Sequence, residues 1–234
     1  SLQVDSPFAN ERALGAATYK FFISNYVLRT KERQWKLFKT NRSDFLLEWY
    51  GKDTAAGAVL FAEDKSNDFQ QRIIDRYFTG KVKEYLYAVL INGALGESNI
   101  KNLVPIYEKF KIEYPASSFL QLFGVGMNEV VAKKKRTLTP GMKFIDDSGM
   151  FKKWEDILAY YKGQTVLLDM WGTWCGPCRQ DMDRHSSFIK QYFKGRPLTY
   201  VYIANNDTGK EKFWKELIAY FNLEGNHFIA DEEL

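Results

Sequence analysis

The sequence predicts an α + α/β protein, with an all-helical domain over residues 1–136 and an α/β domain over residues 137–234. Three observations predict it. Before Arg136, bulky apolar residues recur at three- and four-residue steps, the period of a helix face. Beyond Gly141, short apolar runs alternate with helical patterns, the signature of strands joined by helices. The only two cysteines, Cys175 and Cys178, fall between one such run and the helical pattern after it.

In the first domain Trp35, Phe38, Phe45 and Trp49 are bulky anchors, with an interruption expected at Asn41–Asp44. Phe69, Ile73, Ile74 and Phe78 form one helix face, expected to stop at Gly80. Ile100, Leu103, Tyr107 and Phe110 form the next. Pro105 lies within it and must start, kink or break that helix, because it lacks an N–H and clashes one turn back. Tyr114-Pro115-Ala116-Ser117 reads as a helix end followed by an N-cap, and Phe119, Phe123, Met127 and Val130 as a last helix. These are helical hairpins without the regular period of a named repeat. Aromatic residues, 16% of the chain, favour such packed helices. The run Lys133-Lys134-Lys135-Arg136 places cations on a last helical turn, where they offset its negative end; a site for an anionic partner is the alternative.

Thr137-Leu138-Thr139-Pro140-Gly141 marks the domain boundary. After it come a short strand at residues 143–145 and a turn at Asp146-Asp147-Ser148-Gly149. Trp154, Ile157, Leu158 and Tyr161 mark a helix closed at Gly163. Thr165–Met170 reads as a central strand from its continuous apolar run. A helix over residues 177–193, a strand over 198–203 and a helix carrying Phe213, Trp214, Leu217 and Phe221 complete a βαβαβα order, which predicts a mainly parallel sheet.

Lys and Arg exceed Asp and Glu by only four charges, dispersed along the chain, so no nucleic-acid partner is expected. No apolar run reaches the ~18 residues of a membrane span. Two cysteines leave one reactive pair rather than a disulfide scaffold. The chain opens at Ser1 without Met, which leaves room for a removed leader or upstream domain.

The chemistry centres on Trp171-Gly172-Thr173-Trp174-Cys175-Gly176-Pro177-Cys178. Cys175 falls at a helix N-terminus, with Pro177 in the first turn where its missing N–H costs little. Free backbone N–H groups and the positive helix end favour a thiolate there and lower the Cys175 pKa. Cys178 lies one turn behind, placed to resolve a mixed disulfide formed by Cys175. Half of a zinc site is a second reading, but it would need His185 and His227 at a spacing that fits no common finger. A plain buried pair is a third. Asp169 interrupts an apolar strand six residues before Cys175; burial should raise its pKa, and it either relays the proton of Cys178 or caps loop N–H groups. Trp171 and Trp174, with Gly176 and Pro177 between the cysteines, offer a substrate-docking surface, unless one indole is core. Arg179 adds positive charge near the thiolate or is a solvated helix residue.

At these residues the chain resembles the thioredoxin superfamily, in particular the TlpA/ResA-like extracytoplasmic thiol–disulfide oxidoreductases. The likeness covers residues 141–234 and includes Lys162-Gly163-Gln164-Thr165 through Cys178-Arg179. It implies a thioredoxin-like second domain, Cys175 as nucleophile, Cys178 as resolving cysteine and Asp169 as the buried acid. It also implies reduction of protein disulfides in the cell envelope, periplasmic or otherwise extracytoplasmic, with a protein dithiol or disulfide as substrate. An upstream thiol would be the reductant, and no cofactor beyond the Cys175–Cys178 disulfide is implied. Two departures stand out. Relatives carry a Glu-Met-Pro run in the active-site helix where this chain has Asp181-Met182-Asp183. None of the six prolines follows Pro197, so the family's cis-proline loop is missing, and Asp231-Glu232-Glu233-Leu234 reads as the start of the helix before it. The expectation is a fragment, truncated before the C-terminal strands, which leaves one edge and apolar face of the strand at 165–170 open. A partner-binding or scaffold module with a vestigial or regulatory redox half is the alternative function.

Overall fold

The structure, a computed structural model, describes residues 8–51, 53–145, 151 and 153–230. Among these the chain divides into two compact units, residues 8–96 with 100–127, and residues 97–99 with 128–230.

The first unit is helical: after a short 3₁₀ turn come α1 (Ala17–Thr40), α2 (Arg42–Tyr50), α3 (Thr54–Glu63), α4 (Asn67–Tyr77), α5 (Gly80–Gly96), α6 (Leu103–Glu113) and the first part of α7 (Phe119–Lys134). The interruption expected at Asn41–Asp44 is a single residue: Asn41 ends α1, and its side chain accepts from the Asp44 N–H to cap α2. Asp53 caps α3 in the same way at 2.9 Å from the Ala56 nitrogen. Asp64, fully buried, takes the backbone N–H groups of Asn67 and Asp68 at 2.9 Å and so starts α4. Gly80 corrects an expectation: α4 already ends at Tyr77, and Gly80, with φ of 57°, opens α5. Pro105 sits in the first turn of α6, where no N–H is lost. The core is aromatic. Phe45, Phe61 and Phe69 are each at most 1% exposed and meet mostly edge to face, with centroids 4.8–5.8 Å apart.

The second unit holds the end of α7, then β1 (Met142–Phe144), α8 (Trp154–Tyr160), β2 (Val166–Trp171), α9 (Gly176–Tyr192), β3 (Thr199–Asn205), α10 (Glu211–Phe221) and β4 (Gly225–Ala230). Its four strands are all parallel, in the order β1-β4-β3-β2. β4 is a strand that the sequence pattern does not announce, because Asn226 and His227 break the apolar run. The centre of the sheet is β3 and β4. β2, expected to be central, pairs on one side only among the described residues, and Leu168 and Met170 on its outer part are 37% and 44% exposed. A continuous apolar run signals burial only when both faces are covered; here the α8 side of the sheet centres on Val201, Ile203 and Phe228 and reaches only Val166 of β2. On the opposite face, Tyr202 and His227 stack at 4.9 Å, and Trp214 of α10 lies 6.3 Å from the imidazole.

The basic run is tied into this unit. Lys133 pairs with Asp183 of α9 at 2.6 Å, Lys134 with Glu216 of α10 at 2.9 Å, and Arg136 donates to the Tyr220 carbonyl at 2.6 Å. The Asp146–Gly149 turn and the Asp231–Leu234 helix start lie outside the described residues.

Candidate functional site

β2 delivers the chain to the site and α9 receives it. Gly172, Thr173 and Trp174 make the turn between them, and Cys175 is the N-cap of α9. The Cys175 N–H donates to the Gly172 carbonyl at 3.0 Å, and the Cys175 carbonyl accepts from the Arg179 N–H at 3.1 Å, which closes the first helical turn. The Cys175 sulfur itself takes the capping position, accepting from the Cys178 N–H at 3.2 Å. Gly176 and Pro177 are the first two helical residues, where a ring without an N–H leaves no bond unmade. Cys175 and Cys178 are disulfide-bonded, with Cα atoms 5.3 Å apart.

The turn is held at three points. Asp207, fully buried after β3, accepts from both the N–H and the hydroxyl of Thr173 at 2.6 Å each. Arg179 donates from Nη1 to the Thr173 carbonyl at 2.6 Å. The Trp174 indole donates to the Asn205 carbonyl at 2.9 Å. Bonds to charged groups are the stronger kind, about 1.5–3 kcal/mol each. Gly172 is required by the indole: a Cβ there would lie 2.5 Å from its nitrogen.

Arg179, a solvated residue on one reading of the sequence, is only 5% exposed. Burial lowers its pKa and the Glu97 carboxylate acts in the opposite direction. Neither periodicity nor motif spacing in the sequence points to Asn205 or Glu97. The polar turn Asn206-Asp207-Thr208-Gly209 is the one sequence signal that points to Asp207.

The two indoles separate. Trp174 is 59% exposed beside the exposed Pro177, whereas Trp171 is 2% exposed and belongs to the core. Cys175, Gly176 and Cys178 are half-buried. Asp169 lies on the sheet face that α9 covers. It lines a recess of about 20 Å³ with Asp181, Met182 and Ser186 of α9 and Tyr202 of β3, enough room for one water. Asp181 and Met182 are three and four residues past Cys178, so all three share one helix face. Burial, and then the Asp181 charge, push the Asp169 carboxyl up to about 6.

The two histidines have other partners. His185 is exposed and meets Asp181 at 2.7 Å. His227 is fully buried, donates from Nε2 to the Leu223 carbonyl at 2.6 Å, and is driven down to about 4 by burial. No group of three His, Cys, Asp or Glu able to hold a metal occurs among the described residues. Among the same residues no helix is long and apolar enough to cross a membrane.

Comparison with known proteins gives a partial likeness. The chain is 39% identical over 59 residues to "Thioredoxin-like protein YneN" of Bacillus subtilis (strain 168), a match that covers 25% of this chain and 32% of that protein. The chain thus spans about a third of that relative's length. No protein-family model matches the chain, and no solved structure matches it. A thioredoxin-like segment and a bonded cysteine pair together point to a redox role.

Proposed function

We propose that the protein is a thiol–disulfide oxidoreductase of the TlpA/ResA-like kind, reducing protein disulfides in the cell envelope. The observation that carries this is the Cys175–Cys178 disulfide closed across the first turn of α9, with the Cys175 sulfur at the N-cap. When the pair is reduced, the Cys178 N–H and the helix end favour Cys175 as a thiolate. The thiolate attacks one sulfur of a substrate disulfide, forms a mixed disulfide and releases the other substrate sulfur as a thiol once protonated. Cys178 then gives up its proton and attacks the Cys175 sulfur. The second substrate thiol leaves and the Cys175–Cys178 disulfide returns. Two electrons have passed to the substrate, and an upstream dithiol restores the protein.

Asp169 is the acceptor for the Cys178 proton; the recess that it shares with Asp181 has room for the one water such a relay would need. A carboxyl pushed up to about 6 is a far better base toward a thiol than an ordinary one. Trp174, Gly176 and Pro177 form the surface over which a substrate disulfide approaches. A reducing direction is favoured by the Gly-Pro pair between the cysteines, which thioredoxin shares at about −270 mV. The envelope location rests on the family likeness. Insulin disulfide reduction tests the reading: Cys175→Ser abolishes it, and Cys178→Ser accumulates mixed disulfides with substrate. Retained activity in Cys175→Ser, or a pair inert to reductant, would leave the scaffold reading instead.

A further inference from the structure

The charges gathered over the dithiol turn come from two segments. Arg179 follows Cys178 in α9, and its guanidinium reaches back over the helix start to the Thr173 carbonyl at 2.6 Å. Its Nε donates to the Glu97 carbonyl at 3.3 Å, so residues 97–99, which belong to this unit, lie against it. Gly176 shows how near both charges come. A Cβ on that residue, between the two cysteines, would lie 3.9 Å from Arg179 Nη2 and 4.0 Å from a Glu97 carboxylate oxygen. Ser98 fixes the segment from the other side by donating to Asp183 of α9 at 2.8 Å. A buried cation and a carboxylate thus flank the turn that carries the thiol.

We propose that Arg179 is a positioning residue that holds the dithiol turn and favours the Cys175 thiolate, and that Glu97 opposes it and limits how acidic that thiol becomes. The inference rests on the redox reading of the site. An opposite charge within a few ångströms favours an ionised group and a like charge disfavours it; the buried guanidinium is little screened, whereas the exposed Glu97 carboxylate is screened by water and acts more weakly. The other charged groups around the turn are Asp207, with Lys210 at 3.3 Å, and Asp169 with Asp181. Asp207 faces Thr173 rather than a cysteine, Asp181 shares the Cys178 face of α9, and Asp169 of β2 shares a recess with Asp181. Arg179 and Glu97 are therefore the pair placed to tune Cys175.

The test is the pH dependence of iodoacetamide alkylation of Cys175, measured on the full chain in a Cys178→Ser background. Arg179→Gln should raise the Cys175 pKa by roughly one unit and Glu97→Gln should lower it by a smaller step, while Arg179→Lys restores most of the charge effect. An unchanged profile in Arg179→Gln, shifts of the same sign in the Arg179→Gln and Glu97→Gln variants, or a Lys variant that behaves like the Gln variant overturns the proposal. Should Arg179→Gln fail to fold, Glu97→Gln decides alone, and an unshifted profile refutes it. A redox titration of the unsubstituted chain reads the underlying reaction separately. A reversible dithiol couple with unshifted variants removes this inference and leaves the redox reading standing.

Discussion

Asp75 in the helical unit and Asp169 in the α/β unit are both half-buried carboxylates, and their pKa values move in opposite directions. Burial pushes Asp75 up, but bonds from Lys109, Lys83 and the Tyr87 hydroxyl outweigh it and hold its pKa below the usual value. At Asp169 burial acts with no donor among the described residues to offset it, and Asp181 adds a like charge, so the carboxyl rises to about 6. A carboxylate saturated with donors is a structural tie. One left short of them keeps a raised pKa, which is what the proposed proton transfer from Cys178 requires.

Asp169→Asn should separate these roles most sharply. It is expected to slow disulfide exchange about a hundredfold at pH 7, whereas Asp75→Asn leaves the rate unchanged. Stopped-flow exchange measures both, and equal effects would break the contrast. In the unsubstituted chain the exchange rate should also climb as pH rises through about 6, because only the ionised Asp169 accepts a proton. His227 extends the comparison to a buried group kept neutral. Its pKa in the fold is about 4 against an ordinary 6.5, so its contribution is complete above 6.5 and lost as pH falls through 4. Urea unfolding should show about 3 kcal/mol of stability lost across that window, and His227→Phe should flatten it. Asp75→Asn is expected to cost about 1–2 kcal/mol in the same assay, by stranding two lysines and a tyrosine hydroxyl.

The smallest expected effect reverses the usual sign. The folded pKa of Asp169 lies above its ordinary 3.8, so the stability it gives is complete below 3.8 and lost as pH rises through about 6. Asp169→Asn should therefore gain about 1 kcal/mol at pH 8 and nothing near pH 3.5. A loss at pH 8 would show that the carboxylate has a structural partner after all.

Much of this contrast is legible in the sequence. The apolar run before Cys175, the Pro177 that permits a helix start, and an acid inside a strand locate the dithiol and Asp169, because each is a local signal. The helices carrying Phe69 and Phe123 are legible for the same reason, since periodicity is local. β4 and the burial of Trp171 depend on which strands pair, which spacing along one chain does not encode; the open edge of β2 is expected from the family likeness and not from its apolar run, which reads as central. Arg179 and Glu97 are the clearest case. They are separated by 82 positions, and only the folded unit brings the Glu97 carbonyl to the guanidinium.

The central claim is that Cys175 and Cys178 form a working redox couple, and an equilibrium titration against dithiothreitol buffers tests it most directly. Following the thiols by alkylation and mass, the account predicts one reversible two-electron transition in which both sulfurs change together. Thiols that stay reduced across the whole range, or a disulfide that reductant never opens, would contradict it.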